Sequence, residues 1–143
     1  MALIADSGAI YALYDVRDRH HAAIGGLISR EPENIIVPVA LLAELDYLLH
    51  TRLGPRAVSR FLEGIRIGGF ILEPFTAADL SRCQALLSTC ADLDLGLADA
   101  SVIAAAERHQ TRRILTVDLR HFRAVRSRGG KPFILLPADA NLQ

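Results

Sequence analysis

The sequence predicts one α/β domain, a parallel sheet with helices on both faces. Three observations lead there. Five short apolar runs alternate with longer stretches of helical periodicity. The runs are continuously apolar, as strands buried on both faces are. At 143 residues the chain has room for one domain, residues 1–143, with no internal repeat and no long linker.

Ala2-Leu-Ile-Ala5 is the first strand and ends at Asp6. Ser7-Gly8 opens a helix to about Tyr14, and a polar joint (residues 15–19) leads into a second helix to about Ser29. Asn34-Ile-Ile-Val-Pro38 is the second strand, stopped by a proline that cannot donate to a ladder. Residues 39–52 form a helix with a stripe of Leu41, Leu42, Leu45, Leu48 and Leu49. Gly54 caps it, and Pro55 suits the first turn of a helix over 55–67. Phe70-Ile-Leu-Glu-Pro74 is the third strand, and Thr76-Ala-Ala-Asp79 reads as a capping box opening a helix to about Cys90. An alanine-rich helix over 97–109 has faces small enough to pack closely on a sheet. Arg113-Ile-Leu-Thr-Val-Asp118 is the fourth strand, again ending in Asp. A helical turn (119–125), a Gly129-Gly130 loop and a last strand (133–136) follow.

Composition excludes several classes. With 51% hydrophobic and 22% charged residues the chain is not intrinsically disordered. No apolar run approaches the ~20 residues of a membrane span, and Met1-Ala-Leu-Ile-Ala-Asp6 lacks the basic start of a signal peptide. Cys83 and Cys90, the two cysteines, lie about two helical turns apart, too far to bridge. They read as free thiols filling or edging the core, in a cytoplasmic protein. Tyr11, Tyr14 and Tyr47 fall on helices and read as core edges.

The net charge is zero but unevenly spread. Residues 1–50 carry seven acids against three arginines, whereas residues 108–131 carry seven arginines and Lys131 against Asp118. The basic window suggests an anionic partner, with a solvated face as the plain alternative.

Two strands end in aspartate, Asp6 and Asp118. In open α/β sheets ligands bind beyond the carboxyl ends of the strands, near the switch in strand order. A helix N-cap is the competing role for each. Thr116 lies two residues before Asp118, on the same face of an extended strand, where its hydroxyl can orient the carboxylate. Ser7 stands beside Asp6. Asp99 sits in apolar company and must be paired, hydrogen-bonded or metal-bound, while Asp92 and Asp94 are available as caps in its place. Glu44 and Asp46 flank the leucine stripe on opposite sides, and periodicity does not choose between them. Converging carboxylates repel unless a cation compensates them. Without a Cys/His cluster such oxygen ligands suit Mg²⁺ or Mn²⁺, which polarises a phosphoryl oxygen and activates bound water. An acidic centre beside a basic flank points to phosphodiester chemistry.

Other templates fail. Glycine-rich phosphate motifs and a Gly-x-Ser-x-Gly elbow are absent. The five histidines, His20, His21, His50, His109 and His121, show no metal-ligand spacing and read as exposed or satisfied.

Four segments, in order, resemble the PIN-domain ribonucleases and, within them, the VapC toxins of toxin–antitoxin pairs. They are Leu3-Ile-Ala-Asp-Ser-Gly-Ala-Ile-Tyr11, Val39-Ala-Leu-Leu-Ala-Glu-Leu-Asp-Tyr47, Leu97-Ala-Asp-Ala-Ser-Val-Ile-Ala104 and Ile114-Leu-Thr-Val-Asp-Leu-Arg-His-Phe122. The resemblance implies a three-layer α/β/α fold with five parallel strands in the order 3-2-1-4-5. It implies an acidic quartet of Asp6, Glu44, Asp99 and Asp118, choosing Glu44 over Asp46, with Asp6, Asp99 and Asp118 on the metal and Ser7 and Thr116 in support. It further implies Mg²⁺- or Mn²⁺-dependent RNA cleavage, a homodimer, and inhibition by a cognate VapB-type antitoxin. Arg120 and Arg123, which follow Asp118, are the first candidates for gripping RNA phosphates. Arg112 and Arg113 rank behind them because a strand of about five residues spans ~17 Å. The alternatives are a non-catalytic module of the same fold, against which an intact quartet argues, and a receiver-like phosphoacceptor. The latter is disfavoured because Lys131-Pro132 precedes the last strand and Glu73-Pro74 ends the third.

Overall fold

The computed structural model describes residues 1–142. Five strands form one parallel sheet: β1 (Leu3–Ala5), β2 (Ile35–Pro38), β3 (Ile71–Glu73), β4 (Arg113–Leu115) and β5 (Ile134–Leu136), in the order β3-β2-β1-β4-β5. Seven α-helices among the described residues connect them: α1 (Ser7–Tyr14), α2 (His21–Arg30), α3 (Leu42–Leu53), α4 (Pro55–Arg66), α5 (Ala77–Thr89), α6 (Leu97–Arg108) and α7 (Leu119–Ala124). The expected three-layer fold and strand order are those observed.

Strand order explains the layers. The chain steps from β1 outward to β2 and β3, then crosses back to β4 and β5 on the other side of β1. Right-handed crossovers therefore place α1–α4 on one face and α5–α7 on the other. The packing agrees: α1 contacts α2 and α3, α3 contacts α4, and α5 packs on α6, which lies along β1, β2 and β4. The alanines of α6 permit that approach, since Ala100, Ala104, Ala105 and Ala106 are all buried. The switch point falls between β1 and β4, so a crevice opens beyond Ala5 and Leu115.

Most predicted boundaries shift by a residue or two. The predicted helix over 39–52 begins as a 3₁₀ turn, Val39–Leu41, before α3, and its stripe holds, with Leu41, Leu45 and Leu49 fully buried. The capping box at Thr76 and Asp79 forms as expected. Cys83 and Cys90 are both free and buried. Tyr11 is a buried core edge, but Tyr47 is 67% exposed, contrary to expectation, because it projects from the side of α3 away from the leucine stripe. Two 3₁₀ turns, Ala91–Leu93 and Ala140–Leu142, were not anticipated. No described helix is long and apolar enough to cross a membrane.

One difference matters for the site. β4 ends at Leu115, not at Asp118. The Thr116 N–H still reaches Leu136 O on β5. The Asp118 N–H then turns back onto the Thr116 hydroxyl at 2.9 Å, and Asp118 Oδ1 accepts the His121 N–H at 3.4 Å as the N-cap of α7. Local side-chain hydrogen bonds outcompete the ladder here. Thr116 and Asp118 therefore meet through a turn, not as alternate residues of one strand.

Candidate metal centre at the switch point

Asp6 follows β1 directly and is 5% exposed. Its Oδ1 accepts the Ser7 N–H at 2.8 Å, and its Oδ2 accepts the Thr116 hydroxyl at 3.1 Å. Burial is the largest influence on its acidity, followed by the negative charge of Asp99 and, more weakly, Glu44. Together they raise its pKa from 3.8 to about 7 against two opposing hydrogen bonds. A carboxylate whose pKa stands near neutrality in the absence of a cation is one that a cation would ionise fully.

Asp99 lies in the first turn of α6. Its Oδ2 accepts the Gly96 N–H at 3.3 Å. Asp92 and Asp94 do not cap α6, as the sequence had allowed; Gly96 is the cap residue, and Asp99 reaches back to it. Burial raises the Asp99 pKa, the Gly96 N–H and His121 lower it, and Asp118 raises it. Asp118, at the start of α7, presents Oδ2 to His121 Nδ1 at 2.8 Å, and the same nitrogen lies 3.7 Å from Asp99 Oδ2. Donor atoms of Asp99, Asp118 and His121 all fall within 4.8 Å of one another.

Glu44 is exposed in the first turn of α3, yet its charge reaches Asp6, whereas that of Asp46 is not among the influences on Asp6. Asp99 and Asp118 thus come together with His121, whereas Asp6 lies outside that cluster but within reach of the Asp99 charge, and Glu44 is exposed further out. Asp6 and Asp118 both take the N-cap role that the sequence set beside a place in the site, Asp6 for α1 and Asp118 for α7.

His121 was missed. Its signal was the three-residue spacing from Asp118, which at the start of a helix returns the imidazole to the capping carboxylate.

The candidate arginines divide. Arg113 makes a bidentate pair with Glu31 (3.0 and 2.6 Å), and Arg112 donates to Pro132 O. Arg123, expected near the site, is turned away by a bidentate pair with the buried Asp139 (2.6 and 2.5 Å). Asp139 in turn accepts the Leu135 N–H and ties the C-terminal turn to β5. Arg120 is exposed on α7, between Asp118 and His121.

A divalent cation fits this donor set. Two donors on one ion at ~2.1 Å stand between ~3 and ~4.2 Å apart, which brackets the 3.7 Å between Asp99 and His121; the 2.8 Å contact of His121 with Asp118 is a hydrogen bond that a cation would have to open.

Carboxylates converging at the switch of a parallel 3-2-1-4-5 sheet are the arrangement of a PIN domain, and the chain belongs to that family, whose pattern matches residues 3–127. Within it the sequence is 35% identical over 135 residues to ribonuclease VapC26 of Mycobacterium tuberculosis, covering 94% of this chain and 100% of that one. The fold matches the crystal structure of Mycobacterium tuberculosis VapC20, described as a sarcin-ricin loop cleaving toxin. The TM-score is 0.77 at 21% identity, over 85% of this chain and 94% of that one. FitAcB of Neisseria gonorrhoeae is a more distant likeness, with TM-score 0.56 at 18% identity over 84% and 90% of the two chains.

Proposed function

We propose that this protein is a divalent-metal-dependent endoribonuclease toxin that cleaves a structured RNA. One observation carries the reading: donor atoms of Asp99, Asp118 and His121 crowd within 4.8 Å, with Asp6 coupled by charge to Asp99 and Glu44. The 35% identity to a ribonuclease over nearly the whole chain supports it. Asp99 and Asp118 would hold Mg²⁺ or Mn²⁺, with Asp6 and Glu44 adding negative charge nearby, and His121 would offer a nitrogen donor on the same side. Bound there, the cation supplies charge stabilisation at the scissile phosphate and a more acidic water. The Ser7 N–H and the Thr116 hydroxyl fix the Asp6 carboxylate. Arg120, next to Asp118, is placed to meet a neighbouring phosphate. The protein acts in the cytoplasm as a homodimer and is held inactive by a cognate VapB-type antitoxin.

The test is cleavage of tRNA and ribosomal RNA fragments by purified protein. Activity with Mg²⁺ or Mn²⁺ that disappears with EDTA and in Asp99→Asn supports the reading. Full cleavage in excess EDTA contradicts it.

A further inference from the structure

The C-terminal window that looked like the basic surface is largely neutralised inside the fold. Arg108 pairs with Glu73 and Asp79, Arg113 with Glu31, Arg123 with Asp139, and Arg128 lies 3.6 Å from Glu107. Four of its seven arginines therefore answer carboxylates of this chain. A second group of unanswered arginines lies outside that window, at the elbow between α3 and α4.

Arg52, in the last turn of α3, sets its guanidinium 5.1 Å from the Tyr11 ring centre; Arg60, on α4, sets its own 5.8 Å from the Tyr14 ring centre. Tyr11 and Tyr14 are three residues apart on α1, so the two rings are neighbours on one helix face. Arg56 lies one turn before Arg60 on the same face of α4. All three arginines are exposed, and no carboxylate of the described residues lies within ion-pair distance of any of them. The nearby acids are engaged: Glu63 forks onto Arg66 (2.7 and 2.6 Å), and Asp15 accepts the Tyr11 hydroxyl at 2.6 Å. Like charges at i, i+4 destabilise a helix by a few tenths of a kcal/mol, so Arg56 and Arg60 are a poor choice for stability alone.

We propose that Arg52, Arg56 and Arg60 form a phosphate-binding surface that carries the RNA strand leading to the acidic centre. The geometry favours RNA. Arg52 lies eight residues along α3 from Glu44, ~12 Å, and ~80° from it around the helix, so strand and site share one side. A guanidinium held over a tyrosine ring still has N–H groups for a phosphate; Arg52 spends one on the Tyr11 hydroxyl, whereas Arg60 makes only the ring contact. Stacking also fixes the side chain before the ligand arrives, which lowers the entropy lost on binding. The proposal rests on the ribonuclease reading above.

The experiment measures binding of a fluorescent single-stranded RNA to full-length protein at several salt concentrations. Asp99→Asn is the parent, so that no substrate is consumed. Each lost phosphate contact removes ~0.7 from the log–log salt slope. The triple variant Arg52→Gln, Arg56→Gln, Arg60→Gln is expected to lose about 2 from the slope. The corresponding triple lysine variant retains it. Arg56→Gln alone, which removes no ring contact, loses ~0.7 at an unchanged melting temperature. An unchanged slope in the triple glutamine variant, with the parent still binding RNA, overturns the surface and leaves the nuclease reading standing. Loss of polyglutamate binding alone, with the RNA slope intact, overturns it in favour of an acidic protein partner. A parent that binds no RNA overturns both.

Discussion

The Thr116 hydroxyl donates to Asp6 Oδ2 at 3.1 Å and thereby joins the ends of β1 and β4. The same oxygen accepts the Asp118 N–H at 2.9 Å, so one hydroxyl ties the Asp6 carboxylate to the Asp118 backbone. Thr116→Val keeps the shape, leaves the Asp118 N–H without its acceptor and removes the Asp6 donor. The expected cost is about 1–3 kcal/mol of stability, read by urea denaturation, with a fall in cleavage rate beyond what unfolding explains.

Asp6 makes stability depend on pH in an unusual direction. Its pKa rises from 3.8 to about 7 on folding without metal, so between those values the folded state binds more protons than the unfolded one. Stability from this group is therefore fully present below about pH 4 and is lost as pH rises through about 7. At about 1.4 kcal/mol per pKa unit the loss is up to about 4 kcal/mol. Asp6→Asn should flatten the metal-free profile and raise the melting temperature at pH 8 while abolishing cleavage. Thermal denaturation in EDTA from pH 5 to 8 checks the sign, and identical profiles for the two proteins contradict it.

Gly8 allows α1 to approach the loop after β4. A Cβ at Gly8 would stand 3.0 Å from Val117 Cγ2, between Thr116 and Asp118. Gly8→Val should push that loop away, costing about 1–3 kcal/mol through overpacking. Cleavage should fall more than stability does. Activity and melting temperature measured together separate the two effects.

Arg123 and Arg120 should differ sharply. Arg123→Ala strands the buried Asp139 carboxylate and destabilises the fold by about 1–3 kcal/mol. Arg120→Ala removes no ion pair among the described residues and should leave the melting temperature unchanged while weakening RNA binding.

The sheet was legible because its strands are buried on both faces and read as unbroken apolar runs, as in Leu3–Ala5 and Ile35–Pro38. Asp6 and Asp118 were legible because each follows such a run. The end of β4 was not, since a hydroxyl and a capping carboxylate decide it locally. The role of Arg123 was hidden for another reason: Asp139 is sixteen residues away and only the fold brings it near. Likewise Glu31 meets Arg113 across 82 residues, so a charge count over one window could not tell spent arginines from free ones. Glu44 was chosen by resemblance alone, and in the structure its charge is the weakest of the influences on Asp6.

His121 sets a ring nitrogen beside the Asp99 and Asp118 carboxylates. His121→Ala should weaken Mn²⁺ binding about 10–100-fold, measured by calorimetry on full-length protein, with a smaller effect on Mg²⁺, which prefers oxygen. Equal affinities in both proteins remove His121 from the donor set.

The most direct test of a cation held by the gathered carboxylates is anomalous diffraction from a crystal grown with Mn²⁺. The expected result is a single dominant peak ~2.2 Å from carboxylate oxygens of Asp99 and Asp118, with Asp6 bound directly or through one water. A crystal that takes up Mn²⁺ elsewhere, or none at saturating concentration, contradicts the metal centre on which the nuclease assignment stands.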